Sequence, residues 1–211
     1  VVGLNKKIKA LLVIAVVAIA LAVTSFIFQE PMAHYFFVTG NQNTMKNIVN
    51  EEQLRLVKDS LEEYFGGTKN LTLQDLFTWQ NKHLRYVDSF PWFGLGRPSA
   101  DPKAIMNAGI GRCGEYSILF TAACIAVGYQ ARIVTVVKTD FLSGVHQFCQ
   151  VKLNGTWILV DSSCYAPDKL VINDTSVYTN WGWWPLQEKG YYAFSFDENN
   201  AYNITDTFVK F

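Results

Sequence analysis

Apolar residues recur at helical spacing in the first half of the folded part of the chain and at strand spacing in the second. In "EEQLRLVKDSLEEYF" the stripe is Leu54, Val57, Leu61 and Phe65, and Gly66-Gly67 ends it. "TLQDLFTWQNKHLRYV" predicts a second helix, with Thr72 as N-cap and Asp75 in the first turn, where the helix dipole favours an acid. "DSFPWFGLGRPSADP" is a Pro/Gly loop, and "PKAIMNAG" predicts a short helix closed by Gly109. A third long helix begins near Cys113. Ser117 and Thr121 are its only polar residues between Tyr116 and Val127, and a helix apolar on every side is a buried one. Gly128 supplies its stop. The period then changes. "ARIVTVVK" is β-branched and strand-like, and "VHQFCQVKL" and "TWILVDSS" flank Asn154-Gly155, the preferred pair for a type I′ hairpin turn. Beyond Cys164, "NWGWWP" and "GYYAFSF" predict further strands or a packed cap. Helices followed by antiparallel strands define an α+β domain, with the cysteine-bearing helix buried against an antiparallel sheet.

The N-terminal pattern is of another kind. Lysines at 6, 7 and 9 precede a run without charge until Glu30. A spanning helix needs about 20 apolar residues, which residues 8–28 approach. The flanking lysines would keep the N-terminus cytoplasmic and put everything after Pro31 outside. A cleaved signal peptide ending at Ala20-Leu-Ala22 is the competing expectation; the apolar run continues past it to Phe28, which favours the uncleaved anchor. The expected organisation is an anchor or signal over 1–30, a polar, Asn-rich juxtamembrane linker over 31–50, and a catalytic domain over 51–211. The localisation expected is single-pass membrane, with the domain outside the cytoplasm, or secreted if the segment is cleaved. Sequons at Asn70, Asn154, Asn173 and Asn203 fit that side.

The 211 residues carry 18 basic and 18 acidic side chains, a balance that argues against a nucleic-acid partner. Four cysteines, Cys113, Cys124, Cys149 and Cys164, form no CxxC pair, so a zinc ribbon or thioredoxin-type site is not expected, nor any metal or cofactor. In the hairpin register Cys149 faces Val160, which leaves about 13 Å of ladder, at about 3.3 Å per residue, between Cys149 and Cys164. A disulfide wants Cα atoms within about 7 Å, so these two are not expected to bridge.

Cys113 stands where the glycine-rich "GIGRCG" turns into the buried helix. A thiolate is the nucleophile, and the unpaired N–H groups and dipole of a helix start lower a thiol's pKa. The same N–H groups could hold the oxyanion of an acyl intermediate, with Gly111 and Gly114 leaving room for a carbonyl. A nucleophilic cysteine also needs a base, and the base an orienting group. Counting back from the Asn154-Gly155 turn, Phe148 faces Asp161 and His146 faces Ser163. His146 and Asp161 then share a face one diagonal step apart, about 7–8 Å at Cα, within reach of longer side chains. The carboxylate would fix the imidazole tautomer and stabilise the imidazolium. His34 lies in the linker, and His83 on an amphipathic helix where solvation would explain it.

"GRCGEYSILFTAACIAVGYQARIV", then "HQF", then "WILVDSS" resembles the core of the transglutaminase-like superfamily, and its cysteine helix is most similar to the peptide:N-glycanase branch. The resemblance runs roughly from Leu54 to Ser163. It implies a papain-like α+β fold with Cys113 as nucleophile, His146 as general base and acid, and Asp161 as orienter. The CxxC pairs of peptide:N-glycanases are missing, and the usual Asp-Pro is Asp161-Ser162 here. A membrane-tethered external domain also differs from the cytosolic glycanases.

Secondary candidates follow from chemistry alone. Trp79, Gln80 and Trp92 could donate to an oxyanion, with packing the stronger reading for each. Glu115 could bind a substrate amine, although the dipole favours an acid there anyway, and Arg112 could steer an anion. Trp183 and Trp184, with Trp181, could line a cleft or stack on sugars, or fill the core. The expected activity is thiol attack on an amide through an acyl-enzyme. Peptide hydrolysis ranks first, removal of Asn-linked sugars second and Gln–Lys crosslinking third. The partners implied are a protein, peptide or glycopeptide substrate and a membrane. A tethered binding module without turnover is the alternative, disfavoured because such a module has no need of Cys113, His146 and Asp161 together.

Overall fold

The computed structural model describes residues 14–17, 35, 37–87, 100–138, 143–165, 169–174, 176, 186 and 191–208. The chain divides into two compact units, Val1–Val38 and Thr39–Phe211. Of the first, residues 14–17 are helical, with Ile14, Val16 and Val17 exposed. The rest of the apolar run expected to anchor the chain lies outside the described residues. Among the described residues no helix is long and apolar enough to cross a membrane.

The second unit begins in a helix where a linker was expected. Residues 37–48 form α1, and its Met45 and Ile48 are fully buried. The sequence hid this element because its solvent side is rich in Asn and Gln, leaving few apolar anchors to mark a period. α2, Glu51–Phe65, starts on Asn50, whose side chain accepts from Glu52 and Gln53 N–H, and stops at Gly66 in the left-handed region (φ 74°). α3, Leu73–His83, carries the Thr72/Asp75 capping box and buries Leu76, Phe77, Trp79 and Gln80. β1, Arg85–Tyr86, pairs in parallel with β2, Ile110–Gly111. Between them lies α4, Pro102–Ala108, capped by Asp101 and ended by Gly109 (φ 64°).

α5 spans Cys113–Ala126 and is buried continuously from Gly114 to Cys124. Its all-round apolar sequence has a direct cause: α2, α3 and α4 pack on it, and so do three strands of the sheet. Those strands are β3, Ala131–Lys138, β4, Ser143–Leu153, and β5, Thr156–Tyr165. β6, Lys169–Ile172, β7, Tyr191–Phe196, and β8, Ala201–Asn203, complete the sheet, and a short helix, α6, covers Thr205–Phe208. The order is β6-β5-β4-β3-β7-β8, with every recorded pair antiparallel. "GYYAFSF" is thus a strand beside β3 rather than a cap, while "NWGWWP" lies outside the described residues.

The β4–β5 hairpin has the expected register, from Leu153 opposite Thr156 to Cys149 opposite Val160. Asn154 (φ 50°) and Gly155 (φ 83°) both take the left-handed conformation that a type I′ turn requires. Beyond Cys149 the ladder opens. β3–β4 slips at Val136/Val137, and β5–β6 slips between Asp161 and Tyr165. Bulges re-aim side chains and free backbone donors, and these two flank the positions of His146 and Asp161.

Candidate active site

The start of α5 is built around a missing side chain. A Cβ on Gly111 would stand 2.6 Å from the Cβ of Glu115, so only glycine lets β2 pass this close to the helix. The space at Gly111 is therefore filled by Glu115 and is not an opening for substrate. Glu115 is 2 % exposed, and its Oε2 accepts from the Arg112 N–H at 2.9 Å. This caps the helix from within, in line with the preferred reading of an acid favoured at a helix start over one that binds a substrate amine. The N-cap is Arg112, whose exposed side chain makes no capping hydrogen bond. A Ser or Asp there would accept from the N–H of Gly114 or Glu115; Arg112 has no acceptor atom to do so.

Cys113 is partly exposed at this helix start. Its thiol is hydrogen-bonded to the His146 side chain and to the backbone N–H of Gln147. That N–H lies where the β4–β5 ladder has ended, so it is not spent on the sheet. His146 Nε2 is 2.5 Å from Asp161 Oδ2, which leaves Nδ1 for the thiol. Oδ1 of Asp161 accepts from the Ser163 N–H at 2.9 Å and from the Ser163 hydroxyl at 3.0 Å. His146 is 6 % exposed and Asp161 1 %. The Phe148 ring lies beside the imidazole, centroids 5.7 Å apart.

The electrostatics follow from this chain of contacts. Burial opposes the charged form of Asp161, but the charge and hydrogen bond of His146 and both donors of Ser163 outweigh it and hold the carboxyl below its ordinary value. Burial likewise opposes the imidazolium, yet Asp161 and Cys113 push His146 up to about 10. Burial raises the thiol of Cys113, but His146 and the Gln147 N–H bring it below its ordinary value. Cys124 and Cys149 behave in the opposite way: both are buried, and burial pushes both thiols well up. Among the described residues, Cys113 is the cysteine whose thiol is brought below its ordinary value, beside a histidine that is pushed up.

The structure thus brings Cys113, His146 and Asp161 together, and the secondary candidates go elsewhere. Trp79 is fully buried, and its indole N–H donates to Ser60 Oγ at 3.2 Å. Gln80 is also buried, and its amide donates to the Tyr116 carbonyl on the first turn of α5 at 2.5 Å. Both side chains hold α3 in place: the single indole N–H of Trp79 is used on Ser60, and one of the two amide N–H groups of Gln80 on Tyr116. Trp92, Trp181, Trp183 and Trp184 lie outside the described residues. His83 is not a solvated histidine: Nδ1 is 2.9 Å from the Trp79 carbonyl and Nε2 3.1 Å from Ser60 Oγ, a closed structural pair. Sequence reasoning missed Ser163 and the Gln147 N–H. Ser163 had a local signal, since an Asp commonly accepts from the N–H two residues on. The Gln147 N–H had none, because it depends on where the ladder opens. Cys149 is a buried free cysteine whose thiol donates to the Val160 carbonyl at 3.3 Å.

A half-buried thiol at the start of a buried helix, paired through a histidine on an antiparallel sheet to a buried carboxylate, defines a cysteine-based site on an α+β domain. Residues 66–162 match the model of the transglutaminase-like superfamily. Among solved structures, a protein from Cytophaga hutchinsonii assigned as a cysteine protease is 18% identical, with a TM-score of 0.42, over 71% of this chain and 48% of its own. A TGase is 16% identical, with a TM-score of 0.38, over 67% of this chain and 39% of its own. The chain therefore spans less than half the length of either. No curated protein matches it.

Proposed function

We propose that this protein is a thiol hydrolase that cleaves amide bonds, peptide bonds first among them, through Cys113, His146 and Asp161. The observation that carries the proposal is the continuous chain of hydrogen bonds from the Cys113 thiol through the buried His146 to the buried Asp161. The thiolate attacks the carbonyl carbon, and backbone N–H groups at the start of α5 would stabilise the developing oxyanion. As the C–N bond breaks, the His146 imidazolium gives its proton to the departing amine, leaving a thioester on Cys113. Water then attacks the thioester, His146 takes its proton, and the acid product leaves with the thiol restored. Asp161 holds the imidazole with Nδ1 toward sulfur and stabilises it when charged.

Removal of Asn-linked sugars, in the manner of the peptide:N-glycanase branch, and transfer of the acyl group to an amine use the same first step. They differ in the substrate or in the acceptor. The apolar run over residues 8–28 supports a membrane tether, with the domain on the far side from the lysines at 6, 7 and 9.

The test is to incubate the full chain with a mixed peptide and glycopeptide library and read the products by mass spectrometry. Cleaved peptides that are absent with Cys113→Ala support hydrolysis of peptide bonds. Conversion of glycosylated Asn to Asp, or new isopeptide links, would move the assignment to the other two reactions. No Cys113-dependent product of any kind would contradict an enzyme and leave a binding module.

A further inference from the structure

We propose that Ser163 is a positioning residue for this site: its hydroxyl and N–H hold Oδ1 of Asp161, and thereby keep Oδ2 on His146 Nε2. The inference rests on the reading of Cys113 and His146 as nucleophile and base. A buried carboxylate has two oxygens to satisfy, and each unpaired one is costly. In Asp161 the division is clean. Oδ2 meets His146 at 2.5 Å, while Oδ1 takes both donors of Ser163, at 2.9 and 3.0 Å. Two donors on one oxygen stop rotation of the carboxylate about χ2, so the second oxygen has a fixed direction.

The backbone explains why Ser163 is free to do this. β5–β6 pairing runs through Asp161 opposite Val171, slips, and resumes only at Tyr165 opposite Lys169. The slip releases the N–H of residue 163 from the ladder and turns it back on residue 161. Ser163 is 5 % exposed, so its hydroxyl is shielded from the water that would otherwise compete for it. Titratable groups from two elements face Asp161: His146 from β4 acts on it, while its charge raises the thiols of Cys149 on β4 and Cys113 on α5. Burial keeps Cys149 a neutral thiol, so its charge does not enter near neutral pH. The two donors of Ser163 favour the ionised carboxylate, the ionised carboxylate favours the imidazolium, and the imidazolium favours the thiolate. Ser163 thus acts on Cys113 through two intermediates.

The test measures alkylation of Cys113 by iodoacetamide against pH in the full chain, which needs no substrate. The thiolate–imidazolium pair gives two coupled limbs, one where the pair forms and one where the imidazolium is lost. In Ser163→Ala the acid limb should move up and the alkaline limb down, each by about half a pH unit. Turnover on a cleaved peptide should fall by about 5–20-fold in kcat with KM little changed, the pattern of an interaction that matters in the transition state. Ser163→Thr should restore both limbs and kcat, and Ser163→Gly should repeat the loss. Limbs in Ser163→Ala and Ser163→Gly that coincide with wild type, or equal limbs in Ala and Thr, would overturn the role of Ser163. His146→Ala separates the two levels. If it leaves the Cys113 profile unchanged, the reading of the site has failed. If it abolishes the low-pH reactivity while Ser163→Ala matches wild type, only the Ser163 inference has failed.

Discussion

Asp161→Asn keeps the shape of the side chain and removes its charge, so it asks what the carboxylate contributes beyond packing. The amide can still accept from Ser163, but it no longer stabilises the imidazolium. A comparable serine triad loses about 10⁴ in turnover from this change. A thiolate already favoured by a helix start depends less on its base, so the expected loss is about 10–10³-fold, mainly in kcat. Steady-state kinetics of the purified variant check it, and unchanged kcat would remove Asp161 from the mechanism. A second prediction concerns selectivity. At neutral pH iodoacetamide should modify Cys113 and spare Cys124 and Cys149, because burial holds those two thiols in the protonated form. Peptide mapping of the labelled native protein reads this directly. At this scale the sequence made Cys113, His146 and Asp161 legible, since hairpin register alone puts His146 and Asp161 on one face. It could not show that Trp79 and Gln80 are spent on Ser60 and Tyr116, because those partners are 19 and 36 residues away.

At the scale of elements, the site depends on how closely β2 approaches α5. Gly111→Ala would force a Cβ to 2.6 Å from that of Glu115, and neither the strand nor the first helical turn can give way without shifting Cys113. Such overpacking costs about 1–3 kcal/mol, and it should also disturb the N–H groups at the helix start. A lower thermal midpoint together with lost Cys113 reactivity is the expected result, read by calorimetry and alkylation. The same crowding explains a misreading of the sequence, in which this glycine opens space for substrate. Buried helix, hairpin and turn were legible because each follows from local period and turn chemistry. α1 was not, since it has only Met45 and Ile48 as fully buried anchors and its recorded ties are long-range, Asn41 accepting from Thr135 and Gln147. Two sequons have a structural use as well. Asn173 Oδ1 accepts from the Leu159 N–H at 2.8 Å, and Asn203 Oδ1 from the Thr205 N–H at 3.0 Å and its hydroxyl at 2.6 Å.

For the whole molecule, the buried pair links stability to pH. His146 titrates at about 10 in the folded chain against about 6.5 unfolded, so its contribution is complete below about 6.5 and fades as pH rises through about 10. Asp161 is depressed, so its contribution is present above the ordinary carboxylate value of 3.8 and fades as pH falls through its lower folded value. Thermal stability should therefore be highest between about pH 4 and 6.5 as far as this pair is concerned, with losses on both sides. His146→Ala should flatten the alkaline loss; a calorimetric pH series on both proteins checks it. The fold class and its division into helices and sheet were legible from patterning, while the opening of the ladder that lets sulfur, imidazole and carboxylate meet is a tertiary feature with no sequence signature. The central claim is that His146 turns Cys113 into a thiolate near neutral pH. The most direct measurement is the rate of Cys113 alkylation against pH in wild type and in folded His146→Ala. Wild type should react with a midpoint below the ordinary thiol value of 9.0, and the variant should return to that value or above it. Coincident profiles with midpoints near 9.0 would contradict the account.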